Sequence, residues 1–152
     1  MVNVSRVNWE YKDFMAGILI IGDQEKVRKS LVVAFKKQGY VVCDELDWES
    51  AKQVYSDKYD LVIADLEGKG QIGVEVLKAI KLSNRNVEIV AILPPNLIGT
   101  GEMYSHEVYD CVHKPFLLTD LVNMGKKTLE KKKLADKVRN LEQIMSGNKV
   151  VS

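Results

Sequence analysis

Tyr59-Asp60-Leu61-Val62-Ile63-Ala64-Asp65-Leu66-Glu67 is the stretch whose reading decides the fold. Leu61 to Ala64 are apolar without alternation, and the run ends on one carboxylate, Asp65. A strand apolar on both faces belongs inside a parallel sheet covered by helices on both sides. In such open sheets, ligands and chemistry gather outside the carboxyl ends of the strands, near the point where strand order reverses. A carboxylate is costly to desolvate without a partner. Asp65 is therefore expected to serve chemistry, and other groups are expected at the same edge.

Similar runs flank it. Ile18 to Ile21 precedes Gly22-Asp23, Tyr40 to Cys43 reads as a strand, Ile89 to Leu93 is halted by Pro94-Pro95, and Tyr109 to His113 is the last. Between them, Val27, Leu31, Ala34 and Phe35 recur at helical spacing before Gly39. Asp47 is placed to cap a helix with Trp48, Ala51, Val54 and Tyr55 on one face. Gly73 to Leu82 turns Val76, Leu77 and Ile80 inward, and a weak helix is predicted around Ile98 to His106. After Pro115, Leu118, Leu121, Val122, Gly125 and Leu129 form the final stripe. Strand and helix alternate five times, which predicts an α/β fold: a five-stranded parallel sheet joined by right-handed crossovers, helices on both faces. The expected division is an arm over 1–16, one domain over 17–130 and a helical extension and tail over 131–152.

The 152 residues, 46% hydrophobic and 28% charged, suit one soluble domain. A net charge of +1 gives no global steering toward nucleic acid or membrane. No apolar run reaches the length of a membrane span, and Met1 to Gly17, with Arg6, Glu10, Lys12 and Asp13, lacks a signal-peptide core. A cytoplasmic location is expected. Trp9, Tyr11 and Phe14 suggest an arm that docks its aromatics. Cys43 and Cys111 have no metal-type spacing and are expected as buried free thiols. Leu134, Val138, Leu141 and Met145 follow a four-three-four spacing amid Lys126, Lys127, Lys131, Lys132, Lys133, Lys137 and Arg139. That pattern reads as a solvated helix face or as the seam of a homodimer or partner helix. No aromatics interleave with the lysines, so nucleic-acid binding is not expected.

Three strand ends carry polar chemistry: Asp23, Asp65 and Lys114. In a sheet ordered 2-1-3-4-5, strands one, three and five deliver their ends to one rim. Two carboxylates there repel unless a cation lies between them, and carboxylate and carbonyl oxygens suit Mg2+. A lysine offers a compact positive charge to phosphate oxygens. Together these groups make a phosphoryl-transfer site with a carboxylate nucleophile.

From roughly Gly17 to Glu130 the chain resembles the response-regulator receiver domain of two-component signalling, the CheY-like family with a flavodoxin-like doubly wound fold. The resemblance rests on the Asp65 strand with Gly73 eight residues on, and on Lys114-Pro115-Phe116 after the last strand. It implies that Asp65 is the phosphoacceptor and Lys114 the phosphoryl contact. It implies Mg2+ held by Asp23, Asp65 and the backbone carbonyl of Glu67, and a cis peptide before Pro115. It implies a histidine kinase or phosphotransfer protein as donor, a downstream protein target and no catalytic activity of its own.

Several positions depart from the family. Gly22 replaces the first of two paired acids, Leu93 a Thr or Ser hydroxyl, Cys111 an aromatic switch residue and Lys69 a loop proline. Losing one carboxylate should weaken Mg2+ binding. Losing the hydroxyl removes a contact that would favour an active conformation. The leading expectation is a stand-alone receiver in a phosphorelay, since little chain follows the domain. The alternative is a phosphorylation-independent pseudo-receiver acting as an interaction module. Plainer roles are also open: Asp23 as a cap of the following helix, Lys114 as a structural partner of Asp65, and Glu25 as a surrogate ligand. A phosphate loop of flavodoxin type, Gly-x-x-x-x-Gly-Lys-Ser/Thr and Gly-x-Ser-x-Gly are all absent.

Overall fold

A computed structural model describes residues 15–53, 58–95 and 110–146. The elements in chain order are β1 (Ile18–Ile21), α1 (Glu25–Lys37), β2 (Cys43–Leu46), α2 (Trp48–Ala51), β3 (Leu61–Asp65), α3 (Gly70–Ser83), β4 (Glu88–Leu93), β5 (Asp110–His113) and α4 (Leu118–Met145). The sheet is parallel throughout, ordered β2-β1-β3-β4-β5, as the alternation predicts. The aromatic arm, the weak helix around Ile98 to His106, and Val54 and Tyr55 lie outside the described residues.

Strand alternation builds two cores, one on each face. Leu19, Ile21, Val62, Ala64, Ile89 and Ala91 pack with Trp48 of α2 and Val74, Leu77 and Ile80 of α3. Ile18, Ile20, Leu61, Ile63, Val90 and Ile92 pack with Leu31 and Phe35 of α1 and Leu121 and Val122 of α4. The Phe35 and Tyr40 rings meet edge to face, with centroids 5.8 Å apart. α4 approaches the sheet closely at Gly125, where a β-carbon would lie 2.9 Å from Phe35 Cζ and 3.2 Å from Leu61 Cδ2.

Two expectations are corrected, and both concern the edges of the described sheet. β2 is Cys43–Leu46, not Tyr40 to Cys43. Tyr40 closes the end of α1 against Phe35 instead, and Val41 is exposed. As an edge strand, β2 tolerates charges that find partners beside the sheet: Asp44 accepts from the Tyr59 hydroxyl at 2.6 Å, and Glu45 accepts from Arg28 Nε at 3.1 Å. On the other edge, β5 alternates half-buried and exposed residues, so Cys43 is buried but Cys111 is exposed. Burial pushes the Cys43 thiol up to about 11.

α4 runs unbroken for 28 residues. Its lysines are not only a solvated face. Lys132 reaches back to Asp60 at 2.9 Å, while Leu134, Val138, Leu141 and Met145 are more than half exposed. Among the described residues, no helix is long and apolar enough to cross a membrane.

Candidate functional site

The rim forms where β1, β3 and β5 end. Ile21 pairs with Ala64, which brings Gly22 alongside Asp65. A β-carbon at Gly22 would lie 3.2 Å from Asp65 Cβ. Asp65 is 6% exposed, the one buried carboxylate among the described residues. On the far side, the Lys114 backbone N–H donates to the Leu93 carbonyl at 2.9 Å, and the Lys114–Pro115 peptide is cis. This placement sends the Lys114 ammonium over the end of β3. It donates to Asp65 Oδ2 at 2.8 Å and to Glu67 Oε2 at 2.5 Å. The second oxygen of Asp65 accepts from the Glu67 N–H at 3.1 Å. Burial alone would lower the Lys114 pKa; hydrogen bonds and attraction from Asp65 and Glu67 outweigh it and raise it above the ordinary lysine value.

Asp23 joins the rim in a different manner from Asp65. One of its oxygens pairs with the Lys69 ammonium, and the other accepts from the Trp48 backbone N–H at 3.2 Å. The Lys69 hydrogen bond, aided by the Trp48 N–H, outweighs partial desolvation and holds the Asp23 carboxyl below its ordinary value. Asp23 does not cap the helix that follows it. Gln24 holds that position without a side-chain bond, and Asp23 serves the first N–H of α2 instead. Trp48 ties the two acids together, because its indole N–H donates to the Asp65 carbonyl at 2.8 Å. Asp47 caps α2 through the Ser50 N–H at 2.8 Å, as its position predicts.

Asp65 and Lys114 therefore meet directly, Glu67 joins them through its side chain, and Asp23 is linked through Trp48. Glu25 pairs with Lys29 at 3.5 Å, and His113 is exposed. Four contributions were not read from the sequence. Lys69 leaves the same rim four residues after Asp65, a spacing that could have flagged it. Trp48 reads as apolar core, and its two N–H donors are invisible in a periodicity. Glu67 contributes its side chain, which no motif spacing marks. Arg28 Nη1 donates to the Gly22 carbonyl at 2.7 Å, and nothing in sequence spacing marks that contact.

The carboxylates of Asp23 and Asp65 and a backbone carbonyl such as that of Glu67 are hard oxygen donors of the kind Mg2+ takes, so the residue types fit the ion. Their charge is already met by ammonium groups. Among the described residues, no set of three His, Cys, Asp or Glu side chains converges as a ready metal cage.

The family model for the response regulator receiver domain matches residues 18–126. Sporulation initiation phosphotransferase F of Bacillus subtilis is 29% identical over 117 residues, covering 74% of this chain and 92% of that protein. Regulatory protein AtoC of Escherichia coli is 25% identical over 131 residues, covering 85% of this chain and 28% of its own length. The crystal structure of NtrX from Brucella abortus superposes with a TM-score of 0.72 at 27% identity, covering 83% of this chain and 29% of that one. The chain thus spans under a third of AtoC and of NtrX. With the sheet order, the Asp65–Lys114 rim and a family match over most of its length, this chain belongs to the response regulator receiver domain family of two-component signalling.

Proposed function

We propose that Asp65 accepts a phosphoryl group from a phosphohistidine on a histidine kinase or phosphotransfer protein. A carboxylate oxygen of Asp65 attacks phosphorus, the O–P bond forms, and the P–N bond to the imidazole breaks. The imidazole keeps the electron pair and takes a proton from solvent. Lys114 turns from the carboxylate to a phosphoryl oxygen and holds it. The carboxylates of Asp23 and Asp65 and the carbonyl of Glu67 would hold Mg2+, which supplies positive charge to the phosphoryl oxygens. The observation that carries the reading is the Lys114–Asp65 contact of 2.8 Å on a buried carboxylate. The output is contact with another protein. The exposed seam of α4 supports pairing with a second copy; cutting the chain after Leu134, which keeps Lys132, should then reduce its mass in solution to that of one chain.

The test is beryllofluoride with Mg2+, read by amide NMR. Shifts at Asp65 and Lys114 that vanish in Asp65→Asn support phosphoryl acceptance. Silence at millimolar Mg2+ favours the second reading, a phosphorylation-independent module. Gly22 beside Asp65 and apolar, buried Leu93 at the end of β4 are what favour that alternative.

A further inference from the structure

We infer that Lys69 is a tethered counter-ion that competes with Mg2+ for Asp23, so that this receiver regulates its own metal affinity. The inference rests on the metal reading above and adds a residue to it. Lys69 lies between Gly68 and Gly70, whose φ angles of 77° and 50° are left-handed. Those two left-handed residues let the loop after β3 fold back across the rim as α3 begins at Gly70. The Lys69 ammonium thereby reaches Asp23 Oδ2, while Asp23 Oδ1 is spent on the Trp48 N–H. Both oxygens of the carboxylate are engaged, one of them by a full positive charge.

The charge balance favours competition. Asp23, Asp65 and Glu67 carry three negative charges, and Lys69 and Lys114 return two positive ones. The rim is left one unit negative. A divalent ion would overshoot to net positive while Lys69 stays, and would bring the rim to neutrality once Lys69 has gone. Removing the ammonium therefore frees an oxygen and deepens the negative potential at the same time. The Lys69–Asp23 pair is partly exposed, 29% and 49% by side chain, so solvent screens it and the effect is moderate. Lys114 does not duplicate this role, because its two partners are Asp65 and Glu67.

The experiment is calorimetric titration of the full chain with MgCl2 alone, cross-checked by Trp48 fluorescence in a Trp9→Phe background. Lys69→Ala should bind Mg2+ about three- to tenfold more tightly than the parent, from the lost pair and the lost like charge. Lys69→Arg should stay within about twofold of the parent, since the charge remains. So should Lys37→Ala, which removes the same charge at the far end of α1. Adding Asp23→Asn to Lys69→Ala should abolish the gain. Unchanged or weaker Mg2+ binding in Lys69→Ala overturns the competition while leaving the metal reading standing. No response to Mg2+ in either the parent or Lys69→Ala overturns both together.

Discussion

Replacing Lys114 with methionine tests the rim at its centre. The substitution keeps most of the aliphatic stem and removes the ammonium that bridges Asp65 and Glu67. Two carboxylates then face each other, and Asp65 keeps only the Glu67 N–H at 3.1 Å. At 2.8 Å, the Lys114–Asp65 contact is worth about 6 kcal/mol at an effective dielectric of 20, before desolvation. Desolvating the ammonium and leaving it 17% exposed offset part of that, and Glu67, 44% exposed by side chain, can relax into water. The expected net cost is about 2 kcal/mol, below the range for removing one partner of a fully buried pair. Asp65→Asn removes the charge that Lys114 serves, so the two changes should not add. The double variant should be more stable than the sum of the singles by about 1–2 kcal/mol. Urea unfolding at neutral pH, followed by the fluorescence of Trp48 in the Trp9→Phe background, measures all four proteins. Lys114→Met within about 0.3 kcal/mol of the parent, or strictly additive changes, would refute the coupling.

Four further outcomes follow from particular contacts. Asp23 and Asp44 have lowered folded-state pKa values, Asp23 through Lys69 first and Asp44 through the Tyr59 hydroxyl first, then Lys58. Their stabilisation is full above the unfolded value near 3.8 and is lost as pH falls through the lower folded values; Tyr59→Phe should therefore flatten the acid limb of a stability-versus-pH curve measured by thermal melting. Lys114, raised in the folded state, behaves in the opposite sense: its stabilisation holds below the unfolded lysine value and declines as pH rises through the folded one, so the Lys114→Met deficit should shrink at strongly alkaline pH. Gly125→Val would press two methyl groups into Phe35 and Leu61 and should cost about 2–3 kcal/mol in urea midpoint measurements. With native protein, a thiol reagent should modify exposed Cys111 promptly and reach buried Cys43 only on unfolding; equal rates would contradict the exposed edge of β5.

The central strands were legible because their chemistry is extreme. Ile18 to Ile21, Leu61 to Asp65 and Ile89 to Leu93 are buried from end to end, and only a doubly covered parallel strand needs such runs. The edges were less legible. β2 reads Cys-Asp-Glu-Leu and lies three residues beyond the apolar run Tyr40 to Cys43, because an edge strand can carry charges whose partners, Tyr59 and Arg28, come from elsewhere in the chain. The cap at Asp47 was readable since it is local: donor and acceptor are three residues apart. Asp23, by contrast, looked like a cap of its own helix and serves a different one, 25 residues on.

The order of apolar runs determined the sheet, and the residue types at three strand ends determined that two acids and a lysine would share a rim. Tertiary structure alone decided how that rim is balanced. Lys69 pairs with Asp23, Lys114 spans Asp65 and Glu67, and Trp48 joins the two acids, because chain crossovers bring residues 17 to 49 positions apart within hydrogen-bond reach. Sequence periodicity reports which face a side chain buries, whereas the partner of a charge is set by where the crossovers return the chain.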